Sequence, residues 1–274
     1  MSAHHTTSTA TPSTRGPAPA APGRHPTVGI TPARLAADDT GRARELLARQ
    51  GAVVLSGYGT TPDALVEAAA RTLGSRLSEL FPQRLRASRD GGPVHLHADG
   101  FDVVVDVAGV PVRRRHPDED HVLLQCVEPA RTGGETFLVD AYRFVDACQS
   151  EDPDLWDFLT GCDVDLYGAW AGLRGLPATP RVARHVEYTR TGRRVVRRGD
   201  GAVPLHRDPD ADRISALLTR FTKTVHALEA DLPRVRLDAG DVLVLDNYRC
   251  WHGRDAHTGA RQVRILTLRT TDAR

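Results

Sequence analysis

The sequence predicts a mainly β protein with helices, a double-stranded β-helix (jelly-roll) core carrying helical additions. Three observations predict it. From residue 94 onward, short aliphatic and β-branched runs recur between Gly, Pro and Asp punctuation. Helical spacing is confined to the first third, one central insert and one late segment. A strand pair closes the chain, and many short strands interrupted by helices suit two curled sheets facing each other.

Residues 1–27 read as a disordered tail before a single domain at 28–274. Met1 to Pro26 is rich in Ser, Thr, Ala, Pro and Gly and has almost no large apolar side chains. Such a stretch cannot bury enough surface to offset its ordering entropy. It lacks the apolar run of about 7–15 residues of a secretory leader, and Arg15 and Arg24 are too sparse for a transit peptide. Thr31-Pro32 opens a helical region in which Ala43, Leu46 and Leu47 repeat up to Gly51. A short buried strand follows at 52–55. Thr60 or Thr61 with Pro62 then starts a helix carrying Leu65, Ala69, Leu73 and Leu77.

Strands are predicted at 94–97, 101–107, 110–115, 121–127 and 136–139. The helical insert presents Leu155, Trp156, Phe158 and Leu159. Segments 184–188 and 193–197 flank Thr191-Gly192 as a hairpin, and Ile214 to Leu228 form a long amphipathic helix. A hairpin over 234–237 and 242–245 turns at Ala239-Gly240, and the last strand covers 262–270.

The 36 basic and 35 acidic residues leave a net charge of +1, so no global field points to nucleic acid or a membrane surface. No run approaches the roughly 18 apolar residues of a membrane span. The run Arg113-Arg114-Arg115 is followed by Asp118, Glu119 and Asp120, charges expected to compensate one another on a solvated hairpin, or else on a lid over a charged substrate. Cys126, Cys148, Cys162 and Cys250 show no C-x-x-C spacing, which fits a reduced, cytoplasmic chain. Cys250 belongs by default in the core.

His97-Ala98-Asp99 carries the chemistry. On extended backbone, positions i and i+2 point to one face, and an imidazole with a carboxylate suits a borderline metal such as Fe(II). A third ligand must come from elsewhere, and His252 is the best candidate. The other histidines lack ligand spacing, except that His95-Leu96-His97 also resembles the His-x-His of cupins, with Asp102 as the acid.

With these residues in hand, the chain resembles the Fe(II)/2-oxoglutarate-dependent oxygenases related to taurine dioxygenase and clavaminate synthase. Four segments carry the resemblance: 51–58, His97-Ala98-Asp99-Gly100, Gly133-Gly134-Glu135-Thr136 with the strand after it, and the run from Asp246-Asn247 through His252-Gly253-Arg254 to Arg261. Segment 151–220 matches only loosely, the 102–120 hairpin is longer than in compact relatives, and His257 sits where an aromatic is common. The resemblance implies iron on His97, Asp99 and His252, with O2 and 2-oxoglutarate as co-substrates. Arg261 would hold the far carboxylate of 2-oxoglutarate and Thr136 would donate a hydroxyl. A guanidinium suits that carboxylate because it can make two parallel charge-assisted bonds. Arg264 and Arg269 are backups, with Arg264 out of alternation and facing the other way.

Asp99 argues for oxygen transfer, since related halogenases carry a small residue there. The implied activity is oxidation, most simply hydroxylation, of a C–H bond in a small polar, amino-acid-like metabolite. Arg207, Asp208, Asp210 and Arg213 are candidate substrate anchors, or else a solvated helix start. Two other functions stay open at this point: a cupin-type metalloenzyme using His95 without 2-oxoglutarate, and a catalytically silent jelly-roll that binds a metabolite.

Overall fold

A computed structural model describes residues 28–100, 102–107, 110–115, 119–170 and 180–273. The tail at 1–27 lies outside the described residues, as do the side chains of the 102–115 hairpin, Asp102 and the Arg113–Arg115 run among them.

The chain opens with β1 (Ala33–Ala36), α1 (Thr40–Gln50), β2 (Ala52–Ser56) and α2 (Pro62–Leu73). Thr61 caps α2 as expected, its hydroxyl accepting from the Ala64 N–H. Then come β3 (Leu77–Leu80), β4 (Arg84–Gly91), β5 (Val94–His97), β6 (Asp102–Val107), β7 (Val110–Arg115), β8 (His121–Glu128), β9 (Thr132–Gly133) and β10 (Thr136–Asp140). The insert holds two helices, α3 (Ala141–Glu151) and α4 (Pro153–Gly161). After it follow β11 (Val164–Asp165), β12 (Val182–Ala183), β13 (Val186–Tyr188), β14 (Arg194–Val196) and α5 (Ala211–Leu228). The chain closes with β15 (Val242–Asp246), β16 (Cys250–Arg254) and β17 (His257–Thr270).

Two sheets face each other. The larger runs β1-β2-β15-β8-β17-β3, with β4 and β9 also paired to β17; the smaller runs β10-β16-β5. Alternation sorts their side chains into layers. Val53, Leu55, Val242, Val244, Leu266 and Leu268 pack outward against α1 and α2. Val54, Leu243, Leu245, Val122 and Leu124 turn inward and meet Leu138 and Cys250 of the smaller sheet. The smaller sheet's other face gives Leu96, Phe137, Val139 and Trp251 to α3, α4 and α5. The middle strands of the larger sheet are therefore buried on both faces, which is why β2 and β15 read as continuous apolar runs.

The structure corrects four expectations. Thr31-Pro32 does not open a helix: Ala33–Ala36 is strand β1, and α1 starts at Thr40. Segment 234–237 does not form a hairpin with 242–245; Val235 bridges Thr136, while β15 pairs with β2 and β8. Leu77 belongs to β3 rather than to the second helix. Glu119 and Asp120 are not solvated, because both are buried. Asp120 meets Arg193 at 2.6 Å, and its carboxylate takes the N–H of Thr270 at 2.8 Å. Burial opposes its ionisation, but His121, Thr270 and Arg193 outweigh burial and hold it below the usual carboxylate range. The cysteines are free and Cys250 lies in the core, as expected. Among the described residues, no helix is long and apolar enough to cross a membrane.

Candidate metal centre

The site sits at the end of the smaller sheet, on its inward face. In the β5–β16 pairing, His97 lies directly opposite His252. Cross-strand partners share a face, so both imidazoles point into the space between the sheets, 4.3 Å apart between ring centroids. Leu138 of β10 lies opposite His252 on its other side. Asp99 is past the end of β5, so the loop rather than strand alternation brings its carboxylate in. Its Oδ1 is 3.9 Å from His97 Nε2 and its Oδ2 is 3.9 Å from His252 Nε2. The three donor atoms all lie within 4.8 Å of one another.

Three features suit a divalent cation. Asp99 Oδ2 is buried with no hydrogen-bond partner, a costly state unless a cation satisfies it. Burial, then the neighbouring His97, lowers the pKa of His252 to about 4, so it is neutral and able to ligate near pH 7. The carbonyl of His95 takes a hydrogen bond from His97 Nδ1 at 2.8 Å, which leaves Nε2 free to face the ion.

Asn247, whose role sequence reasoning missed, holds Asp99 in place. Its side-chain oxygen accepts from the Asp99 N–H at 2.9 Å, and its amide donates to the carbonyls of Asp99 and Glu119, each at 2.8 Å. Glu119 was missed as well, hidden in a charge run. Burial and then the nearby Asp99 push its pKa up to about 8, so it stays protonated at neutral pH.

His95 is not part of this group. Three steps along β5, from His97 to Val94, oppose two along β16, from His252 to Arg254. This bulge re-aims the side chains between them, and His95 meets Glu229 at 2.9 Å instead.

Thr136 is buried and lies across from Arg254, two positions along β16 from His252. Arg261 lies beside Gly134, its Nε 3.4 Å from where a Cβ on that glycine would sit. The Gly133-Gly134 pair takes positive φ, and a Cβ on Gly133 would strike the Ala256 carbonyl, so β17 approaches Thr136 only past glycine. Burial and then Arg254 lower the pKa of Arg261, and among the described residues no carboxylate lies within 4.0 Å of it. Arg254 itself bonds the carbonyls of Asp255 and Gly92 and the Nδ1 of His257. Arg264 faces the other way, toward Thr60 and Gln125, and Arg269 meets Glu79 at 3.8 Å. Arg264 therefore points away from the site.

A cavity of about 370 Å³ opens over His97 and Asp99, lined also by Leu166, Tyr167, Trp170, Arg197, Arg198 and Asp200. Arg207, Asp208, Asp210 and Arg213 do not line it; Asp208 accepts from the Asp210 N–H in the turn that starts α5, as the solvated-helix alternative expected.

Comparison with known families settles the lineage, because the model of the taurine catabolism dioxygenase TauD/TfdA family matches residues 15–271. The chain belongs to that family. A uridine-5'-phosphate dioxygenase from Streptomyces is 34% identical over 155 residues, and the match spans 54% of each chain. The chain thus covers about half the length of that curated relative. A taurine dioxygenase from Burkholderia xenovorans superposes with a TM-score of 0.56 at 17% identity, covering 86% of this chain and 84% of that one. An asparagine oxygenase gives 0.54 at 17%, covering 86% and 78%. The AAD-2 protein in complex with Mn(II) and N-oxalylglycine gives 0.57 at 15%, covering 86% and 88%. These solved structures share the double-stranded β-helix fold with this TauD/TfdA chain.

Proposed function

We propose that this protein is an Fe(II)- and 2-oxoglutarate-dependent dioxygenase that oxidises, most simply by hydroxylation, a C–H bond of a small polar metabolite. The observation that carries it is the His97/Asp99/His252 group: three protein donors on one side and an adjoining cavity on the other. Bound iron would supply the redox chemistry that couples O2 and 2-oxoglutarate to C–H oxidation.

The protein's own part is positioning. His97 and His252 present ring nitrogens from adjacent strands, and Asn247 fixes the loop that carries Asp99. Arg261 has no anion of its own among the described residues, so the far carboxylate of 2-oxoglutarate would complete it, with Thr136 close by on β10. Leu166, Tyr167 and Trp170 shield the cavity, while Arg197, Arg198 and Asp200 give it polar groups for a substrate.

The first candidate is an amino-acid-like substrate, supported by a cavity lined by both apolar side chains and the charged Arg197, Arg198 and Asp200. A second candidate, a nucleoside 5'-phosphate, is favoured by the Streptomyces relative. Succinate release should be measured with iron and 2-oxoglutarate across pools of amino acids, betaines and nucleoside monophosphates. A hit in either pool selects its candidate. Arg261→Ala should raise the KM for 2-oxoglutarate at least tenfold with little effect on iron binding. Anaerobic Fe(II) plus 2-oxoglutarate should give a visible charge-transfer band in wild type and none in His252→Ala; an undiminished band in that variant would sink the ligand assignment.

A further inference from the structure

The bulge that turns His95 away from the iron ligands brings it against the end of α5. There Nδ1 of His95 lies 2.9 Å from Glu229 Oε2, and its ring stacks on that of His226 with centroids 4.2 Å apart. His226 and Glu229 are one helical turn apart, so they share a face. One donor atom from each of the three residues lies within 4.8 Å of the others.

We propose that His95, His226 and Glu229 form a second divalent-cation site, suited to an ion of the Zn(II) class. Two imidazoles and a carboxylate are the donor set of three-ligand zinc sites, which keep a fourth position open. Zinc bonds of about 2.0–2.1 Å place tetrahedral donors roughly 3.3 Å apart. His95 and Glu229, hydrogen-bonded at 2.9 Å, would part by a few tenths of an ångström to take an ion, and rotation of the His226 imidazole would bring in the third donor, which starts within 4.8 Å of the other two.

A second observation points to a ligand. The Nε2 of His226 is buried with no hydrogen-bond partner, and a polar atom in that state calls for an ion or an equivalent partner. The rest of Glu229 is committed to holding the site in place: its Oε1 accepts from the Leu96 N–H at 2.9 Å. Two neighbouring cations are engaged elsewhere: Arg198 is paired with Asp200 at 2.8 Å, and Arg234 with Asp255 at 2.7 Å while donating to the Glu229 backbone carbonyl. His95 also lines the cavity over the iron ligands, which gives an ion a way in. The site is coupled to the iron centre through backbone, because the carbonyl of His95 holds His97 Nδ1. It stands or falls without reference to 2-oxoglutarate.

Metal-free protein should be titrated with Co(II), followed by visible absorption, and its Zn(II) content measured after gel filtration. Wild type should bind two equivalents, His226→Ala and Glu229→Gln one each. His252→Ala should lose the iron-site equivalent yet keep the other, with the intense absorption of low-coordinate Co(II). Circular dichroism of each metal-free variant checks the fold. If His226→Ala folds poorly, the half-exposed His95→Ala carries the same expectation. One equivalent in wild type, or a second equivalent that survives both His226→Ala and Glu229→Gln, would overturn the proposal.

Discussion

The short spacing of His97 and Asp99 identifies them as a candidate pair, but two different supports place them. His97 is set by its strand and by a backbone carbonyl, whereas Asp99 hangs from the side chain of Asn247. Replacing Asn247 with Ala removes all three side-chain hydrogen bonds, leaving the backbone groups of a buried loop unpaired. Supporting groups of this kind typically contribute about 10–100-fold in metal affinity. Asn247→Ala should therefore weaken Fe(II) or Co(II) binding by about that factor, measured by equilibrium titration. An unchanged affinity would show that Asp99 needs no such clamp. Asn247 stands beside Asp246 in the distal motif, so its position was visible in the sequence. Its role was not, because its partners lie 148 and 128 positions away.

At the scale of elements, legibility followed burial. The strands β2, β8, β10 and β15 carry nearly continuous apolar runs because both faces are covered, and each stands close to where the hydrophobic pattern predicts it. By contrast, β3 and β4 lie at the border of the larger sheet with mostly exposed Ser, Glu and Arg side chains. No periodicity marks such a strand, since only backbone pairing to β17 defines it. The strand β16 was missed because its residues, Cys-Trp-His-Gly-Arg, mix a core thiol, a core indole, a metal-site imidazole and a glycine.

That glycine is a requirement of the smaller sheet. A Cβ on Gly253 would meet the Phe137 ring and come within 2.8 Å of the Val94 carbonyl. Overpacking of this kind costs about 1–3 kcal/mol, and here it would push apart the strands bearing His97 and His252. Gly253→Ala should lower the unfolding midpoint and reduce metal binding together. Loss of stability with metal affinity intact would show that the β5–β16 spacing is not what sets the site.

Across the whole molecule, three apolar layers enclose several polar groups, and these make stability depend on pH. His185 is fully buried among Phe158 and Phe221, with its Nδ1 on the Arg197 carbonyl. Burial lowers its pKa from 6.5 to about 4. The unfolded chain therefore binds a proton that the folded chain refuses between those values. Stability is fully present above pH 6.5 and lost as pH falls toward 4, by a total on the order of 3 kcal/mol from this group. Denaturant unfolding at pH 7 and pH 4.5 should show a smaller acid-induced loss in His185→Phe than in wild type, while His252, also lowered to about 4, and Glu119, raised to about 8 with the opposite sign, keep their own contributions in both metal-free proteins. An equal pH slope in that variant would assign the acid sensitivity to other groups.

The sequence by itself determined the fold class, most of the buried strands, the long helix α5 and the identity of the candidate ligands. These are local or patterned properties: side-chain alternation, capping chemistry and short spacing survive in a one-dimensional string. Only the tertiary structure decided that His95 stands apart from the His97/Asp99/His252 group, that Glu119 and Asp120 are buried, and that Arg261 stands without a carboxylate among the described residues. Each of those depends on strand register and on partners distant in sequence, and a single bulge in β5 sends His97 to one site and His95 to another.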